Sequence, residues 1–267
     1  MGLNPSTPRD QVRIWPLPRW PLWFVAGMSF LIRYLSVAVH EAGHWAVLTI
    51  FGRRPVWGFA GLVQYWDTPP PDPSGWIRIT FEGSVGWLRL ASAPGSTAEW
   101  VVYLAAGPII SLLLAWAGCA LFYRGVSPTA RGMGLLLALV NGLGTLLFPL
   151  NYFLSSGDTA FIAHYLHISE VWVAVPYELL RGGALVGALG GLTGWETRLR
   201  WTTFAFLGYF FTMPVLFPLN QLVRTGVAKK EPFFAPIAGW SAPVLTLHLV
   251  ALGTFVLVWH KLGSDVR

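Results

Sequence analysis

Charged residues are scarce in this sequence of 267 amino acids, where Asp, Glu, Lys and Arg together make up 11%. A soluble domain usually carries about 25% charged residues, so this composition excludes a soluble globular enzyme and a disordered chain. Hydrophobic residues make up 54% of the chain, and the mean hydropathy is +0.55. The scarcity of charge therefore indicates a multi-pass protein whose main surroundings are a lipid bilayer.

Cysteine is almost absent, and the single Cys119 excludes an internal disulfide framework. The 18 basic residues outnumber the 12 acidic ones, but no dense basic run is present, which disfavours a nucleic-acid binder. Sparse Lys and Arg between apolar segments are typical of membrane topology, and the 15 tryptophans fit interfacial belts. We expect an integral, multi-pass protein of a bacterial-type cell membrane.

Long apolar segments predict the architecture, because a helix needs about 20 mostly apolar residues to span a bilayer. About six segments qualify, at 22–51, 100–123, 133–150, 171–192, 201–223 and 234–259. The stretch Ser155-Ser156-Gly157 interrupts the third, and a short apolar helix follows from Asp158 to about His167. The fold class that we predict is an all-α multi-pass membrane protein, a single integral membrane domain over 1–267.

The polar loop of residues 52–99 predicts a short β-hairpin at the membrane surface. Apolar and polar residues alternate from Trp76 to Phe81, and residues 85–90 have the pattern of a second strand after a turn at Glu82 and Gly83. A simple connector between the first two helices is the alternative.

The strongest chemical signal is His40-Glu41-Ala42-Gly43-His44, which lies inside the first apolar segment. Positions i and i+4 share one face of a helix, so both imidazoles can reach one metal ion, and the intervening glutamate can act on water as a general base. Each of these side chains costs a few kcal/mol in an apolar helix unless it is paired or coordinated. The alternative is a set of interfacial polar residues bonded to the backbone.

A catalytic zinc site needs a third protein ligand, and Asp158 is the leading candidate because irregular backbone at membrane depth must line a cavity or be buried in protein. Its alternative role is an N-cap of the short helix. His164 and His167 on the same helix are rival ligands that rank lower.

Other polar residues have less specific patterns. Asn151 can hydrogen-bond a substrate backbone or hold its own loop, and the residues do not separate these roles. Glu178 is expected to pair with Arg181 at i+3 in a structural role. His248 has no partner visible in the sequence.

Small residues mark two helices. Ala106-Gly107-Pro108 lets another helix approach closely, and its proline frees a backbone carbonyl; ordinary packing is the equal alternative. Gly183 and Gly187 form a small-xxx-small pair that we interpret as packing.

Taken together, these motifs resemble those of the site-2 protease family of intramembrane zinc metalloproteases. The resemblance covers roughly residues 22–170, a three-helix catalytic core, while 171–267 adds three helices without a family motif. It is carried by the H-E-x-x-H helix with its Phe51-Gly52-Arg53 exit, by a segment at 99–115 similar to the family's A-G-P helix, and by residues 151–166, where the family places its aspartate.

The resemblance implies that His40, His44 and Asp158 bind one Zn²⁺ and that Glu41 activates water. It also implies a membrane-edge strand, matching the predicted hairpin, that holds an unwound substrate. In this chain glycine precedes the aspartate instead of following it, and Ser111 stands where asparagine is common.

The leading hypothesis is therefore a zinc-dependent intramembrane endopeptidase that hydrolyses transmembrane protein substrates, with Asn151 as a substrate-positioning residue. A non-proteolytic membrane scaffold or chaperone with the same fold is the alternative, and an ion or metal transporter is the third hypothesis.

Overall fold

The computed structural model describes residues 16–63, 65–66, 69–81, 84–149 and 157–264, and this part of the chain is mostly helical. It contains seven α-helices: α1 (Leu22–Ile50), α2 (Thr97–Arg124), α3 (Pro128–Gly142), α4 (Asp158–Leu166), α5 (Val171–Gly190), α6 (Trp195–Ala228) and α7 (Ala242–Ser264). A 3-10 turn at Leu143–Leu147 continues the direction of α3. The predicted short helix after the interruption is confirmed as α4, while Ser155 and Ser156 lie outside the described residues.

Five helices are long and apolar enough to cross a membrane, as expected of an integral membrane protein. They are α1, α2, α3 with its 3-10 turn, α6 and α7. The predicted total of six spans is not confirmed, because α5 is not among them. Pro176, Glu178 and Arg181 all lie within α5 and lower its mean hydropathy.

The segment formed by α3 and its 3-10 turn is the most enclosed of the five. In its most apolar stretch of 18 residues, 78% is buried inside the protein, against 11% for α7. Gly118 of α2 and Gly134 of α3 lie at the crossing of these helices, where a Cβ atom on either would overlap the backbone of the other helix. Leu135, Leu136 and Leu139 of α3 are fully buried. Large apolar side chains on the outer helices are exposed instead, which suits contact with lipid.

The predicted hairpin is confirmed as two antiparallel strands, β2 (Trp76–Phe81) and β3 (Ser84–Arg89). Its turn residues, Glu82 and Gly83, lie outside the described residues. A further strand, β1 (Tyr65–Trp66), pairs with the other side of β3, so the sheet order is β1-β3-β2. The sequence pattern missed β1 because two residues are too few to show alternation.

A largely buried ion pair lies at the end of α3, and it confirms the predicted pairing of Glu178 with Arg181. Nη1 of Arg181 lies 3.3 Å from Oε1 of Glu178, and each side chain is 12% exposed. The same guanidinium donates through Nε to the carbonyl of Asn141, at 2.6 Å, where α3 ends. A Cβ atom at Gly144 would overlap this guanidinium, so the glycine makes room for it. The pair therefore satisfies a carbonyl that the helix leaves free.

We expect Arg181→Met to lower the free energy of unfolding by about 3 kcal/mol, because it leaves Glu178 as a buried unpaired charge and frees the Asn141 carbonyl. Denaturant unfolding of the purified chain, followed by circular dichroism, measures the loss. The double variant Glu178→Gln/Arg181→Met should lose less, since no unpaired charge remains. Wild-type stability in the single variant would contradict the supporting role.

Candidate metal centre

Two histidines of the site, His40 and His44, belong to α1, and helical spacing places them on one face of this helix. His44 is 3% exposed and Glu41 is 9% exposed, so both are buried within the helix bundle. The Nε2 atoms of the two histidines lie 3.1 Å apart. Helical spacing therefore allows two imidazole nitrogens to meet at one point.

Asp158 reaches the same point from the first turn of α4. Its Oδ2 lies 3.3 Å from Nε2 of His40 and 3.5 Å from Nε2 of His44. The N-cap position belongs to Gly157, at φ 103°, a backbone conformation that favours glycine. Asp158 makes no N-cap hydrogen bond, so the interpretation of Asp158 as an N-cap is wrong for this helix.

The separation of the three ligand atoms fits one metal ion. Ligand atoms about 2.0–2.1 Å from a tetrahedral ion lie about 3.3 Å from each other, and the observed separations are 3.1, 3.3 and 3.5 Å. The His40, His44 and Asp158 cluster could therefore hold a metal ion.

Helix α2 orients both imidazoles through their other nitrogen atoms. Nδ1 of His44 donates to the backbone carbonyl of Tyr103 at 2.7 Å, which leaves the lone pair on Nε2, facing the cluster. Nδ1 of His40 lies 2.9 Å from Oγ of Ser111, which is 8% exposed. Partners of this kind fix the ring orientation of histidine ligands and raise their basicity.

Gly107 allows α2 to come this close. A Cβ atom at this position would overlap Nε2 of both His40 and His44. Gly43 lies at the same crossing, where a Cβ atom would meet Ile110 and the backbone of Ala106. Gly107 of the A-G-P segment therefore leaves room for the two histidine rings. The pair Gly183 and Gly187 differs, since an added Cβ would make only ordinary contacts there.

Glu41 is buried beside the cluster. Its carboxyl group interacts electrostatically with His40, His44 and Asp158, and also with the guanidinium of Arg224 on α6. Arg224 follows the second proline of α6 and is a residue that the sequence interpretation did not single out.

The remaining candidates lie elsewhere. His164 and His167 are exposed toward the far end of α4 and do not belong to the cluster. Asn151, the predicted substrate-positioning residue, lies outside the described residues. His248 has a partner after all, because its Nδ1 lies 2.9 Å from the hydroxyl of Tyr34.

The sequence did not predict which groups orient the two imidazoles, namely Ser111 and the carbonyl of Tyr103. Ser111 had one available signal, a polar residue four positions after Gly107 in an apolar helix. The carbonyl of Tyr103 had no such signal, because every residue carries a backbone carbonyl and the sequence does not distinguish one from another.

Comparisons with known proteins add no relative: no family model, no curated protein and no solved structure matches the chain.

We expect Gly107→Ala to abolish metal retention, because the added methyl group occupies the space of both Nε2 atoms. Metal content per chain after purification, read by mass spectrometry, checks this. Gly183→Ala is the matched control on another helix and should bind metal as the wild type does. Full metal content in Gly107→Ala would contradict this placement of α2.

Ser111→Ala removes the partner of His40 while the metal ligands stay in place. Loss of such a partner typically lowers metal affinity about 10- to 100-fold, and we expect a decrease in this range. Competition with a metal-binding dye measures the affinity. The matched control is Ser29→Ala, since the hydroxyl of Ser29 is buried but bonds the carbonyl of Val25 in its own helix. Equal affinities in the two variants would show that Ser111 does not support the site.

Proposed function

We propose that this chain is a zinc-dependent intramembrane endopeptidase that hydrolyses transmembrane protein substrates. The observation that carries the proposal is the His40, His44 and Asp158 cluster, with ligand atoms 3.1–3.5 Å apart, inside a bundle of apolar helices and beside a buried glutamate.

The donor set favours zinc as the metal. Two imidazole nitrogens with one carboxylate oxygen form a donor set found in catalytic zinc sites, and three protein ligands leave a fourth position open, as such sites require. A bound zinc supplies Lewis acidity, which polarises a substrate carbonyl group and makes water more acidic.

Glu41 supplies the proton transfer. Its carboxylate takes a proton from the attacking water and passes it to the nitrogen of the leaving amine. His40, His44 and Asp158 are held in place meanwhile, the imidazoles by Ser111 and the carbonyl of Tyr103, and the aspartate by its position at the start of α4.

A transmembrane substrate must unwind before cleavage, because a helix binds its own carbonyl groups in hydrogen bonds. Strand β2 is an edge strand of the sheet, and its outer side has no partner strand among the described residues. An unwound peptide can add to such an edge through main-chain hydrogen bonds. We therefore assign β2 as the strand that receives the substrate.

The resemblance to site-2 proteases supports the same function through the motif residues. The departure at the aspartate has a structural basis, since Gly157 takes the left-handed φ of 103° immediately before Asp158. Ser111, where the family commonly has asparagine, also has a polar contact, with His40. With both departures present, the ligand atoms of His40, His44 and Asp158 still lie within 3.5 Å of each other.

The test combines metal content with cleavage of a membrane substrate in proteoliposomes. We expect about one zinc per wild-type chain. Glu41→Gln should keep that zinc while cleavage falls by at least about 100-fold, because the general base is lost. Asp158→Ala should lose both zinc and cleavage.

Glu196→Gln is the matched control for the loss of an acidic group, since Glu196 is exposed in the first turn of α6. It should cleave as the wild type does. Cleavage that survives in Glu41→Gln would exclude the proposed mechanism. Rescue of a deletion phenotype by the Glu41→Gln protein would favour the scaffold hypothesis instead.

A further inference from the structure

A cavity of about 490 Å³ lies beyond the end of α1, apart from the metal ligands. Three arginines line it, together with an indole from α1 and the loop at 236–239. The arginines are Arg53, Arg54 and Arg89, and the indole belongs to Trp45. In a chain with only 11% charged residues, three guanidinium groups around one cavity call for a physical reason.

Two of the three positive charges have no acidic partner among the described residues. Arg53 is neutralised, because its Nε and Nη2 donate to Oε2 of Glu99 at 3.0 and 2.7 Å. No ion pair within the described ranges includes Arg54 or Arg89. Nη1 of Arg89 is buried without a hydrogen-bond partner, and burial lowers the pKa of this guanidinium. A bound anion would remove that penalty.

An acidic residue of the adjoining cavity already has a partner. Asp72 lines an adjoining cavity that shares Arg89, but its Oδ2 lies 2.6 Å from Nζ of Lys230. The hydrogen bond from Lys230 keeps the pKa of Asp72 well below its usual range, so this carboxylate remains ionised and paired with the lysine. It is therefore paired with Lys230, and no ion pair among the described residues includes Arg89.

The cavity lies at the end of a candidate membrane span. Arg53 and Arg54 come three and four residues after Ile50, the last residue of α1. Trp45 also belongs to an aromatic cluster with Trp57 and Trp240, in which the last two rings are 4.2 Å apart. Tryptophan clusters and basic groups next to a spanning helix are typical of the interface with anionic lipids.

One residue that lines the cavity also carries a hydrogen-bond donor without a partner. Nε1 of Trp45 is buried and has no acceptor among the described residues. Guanidinium groups present N–H donors in a planar fork that matches the oxygens of a phosphate, and such charge-assisted bonds are the strong ones. The cavity thus offers donors and positive charge, and its volume is large enough for a headgroup.

We propose that this cavity binds the phosphate of an anionic phospholipid headgroup, with Arg54 and Arg89 as the two charged contacts and Trp45 as a further donor. The site would fix the end of α1, and hence the helix that carries His40 and His44, against the membrane surface. The inference does not depend on the proposed protease activity.

The test measures binding of short-chain lipids to the full-length chain in a neutral detergent by isothermal titration calorimetry. Dihexanoyl phosphatidylglycerol is the anionic probe, and dihexanoyl phosphatidylcholine carries the same phosphate with a compensating positive charge. We expect the anionic lipid to bind more tightly, and Arg54→Gln and Arg89→Gln each to weaken it roughly tenfold, the loss of about one charge-assisted contact. The matched control is Arg124→Gln, at the exposed end of α2, which should bind as the wild type does.

Equal binding of both lipids, or unchanged binding in Arg54→Gln, would overturn the proposal. Arg54→Gln keeps this test informative if Arg89→Gln fails to fold, because Arg54 lies in the loop after α1 rather than in a strand. Inorganic phosphate forms a separate arm. If it binds as tightly as phosphatidylglycerol and is lost in Arg54→Gln, the site belongs to free phosphate and the lipid assignment is wrong.

Discussion

A polar side chain inside an apolar helix bundle must find a partner, because no water is present in the bilayer core to replace one. The cluster of His40, His44 and Asp158 depends on this constraint. Each imidazole has two nitrogen atoms to satisfy, and the structure divides them, with Nε2 facing the cluster and Nδ1 facing α2. The close approach of α2 at Gly107 is what makes that division possible.

The polar groups at the end of α3 are also paired, as the same constraint requires. Helix α3 ends at Gly142, at the point where the guanidinium of Arg181 reaches the carbonyl of Asn141 and pairs with Glu178. The side-chain amide of Asn141 in turn lies 3.1 Å from the hydroxyl of Ser36, which is one turn before His40 on α1. Polar contacts thus link the end of α3 to the helix that carries the histidines.

Much of the fold was predictable, because hydrophobic segments long enough to span a bilayer are visible in a single sequence. The hairpin was also predictable from its alternation between Trp76 and Phe81. The exception was α5, where length and overall apolar character favoured a span, but this helix, which contains Pro176, Glu178 and Arg181, is not among the five candidates. The pairing of Glu178 with Arg181 depends on local i+3 spacing and was predicted.

The candidate metal site was likewise predictable only in part. The sequence by itself determined that His40 and His44 share a face, because the period of a helix is a local property. It also narrowed the third ligand to Asp158 and two rival histidines on one short helix. Only the tertiary structure decided among them, since α4 places its first turn at the cluster and its exposed last turn away from it. The roles of Ser111, Gly107 and the Tyr103 carbonyl were likewise decided by helix packing, because contacts between helices depend on distances that no local spacing encodes.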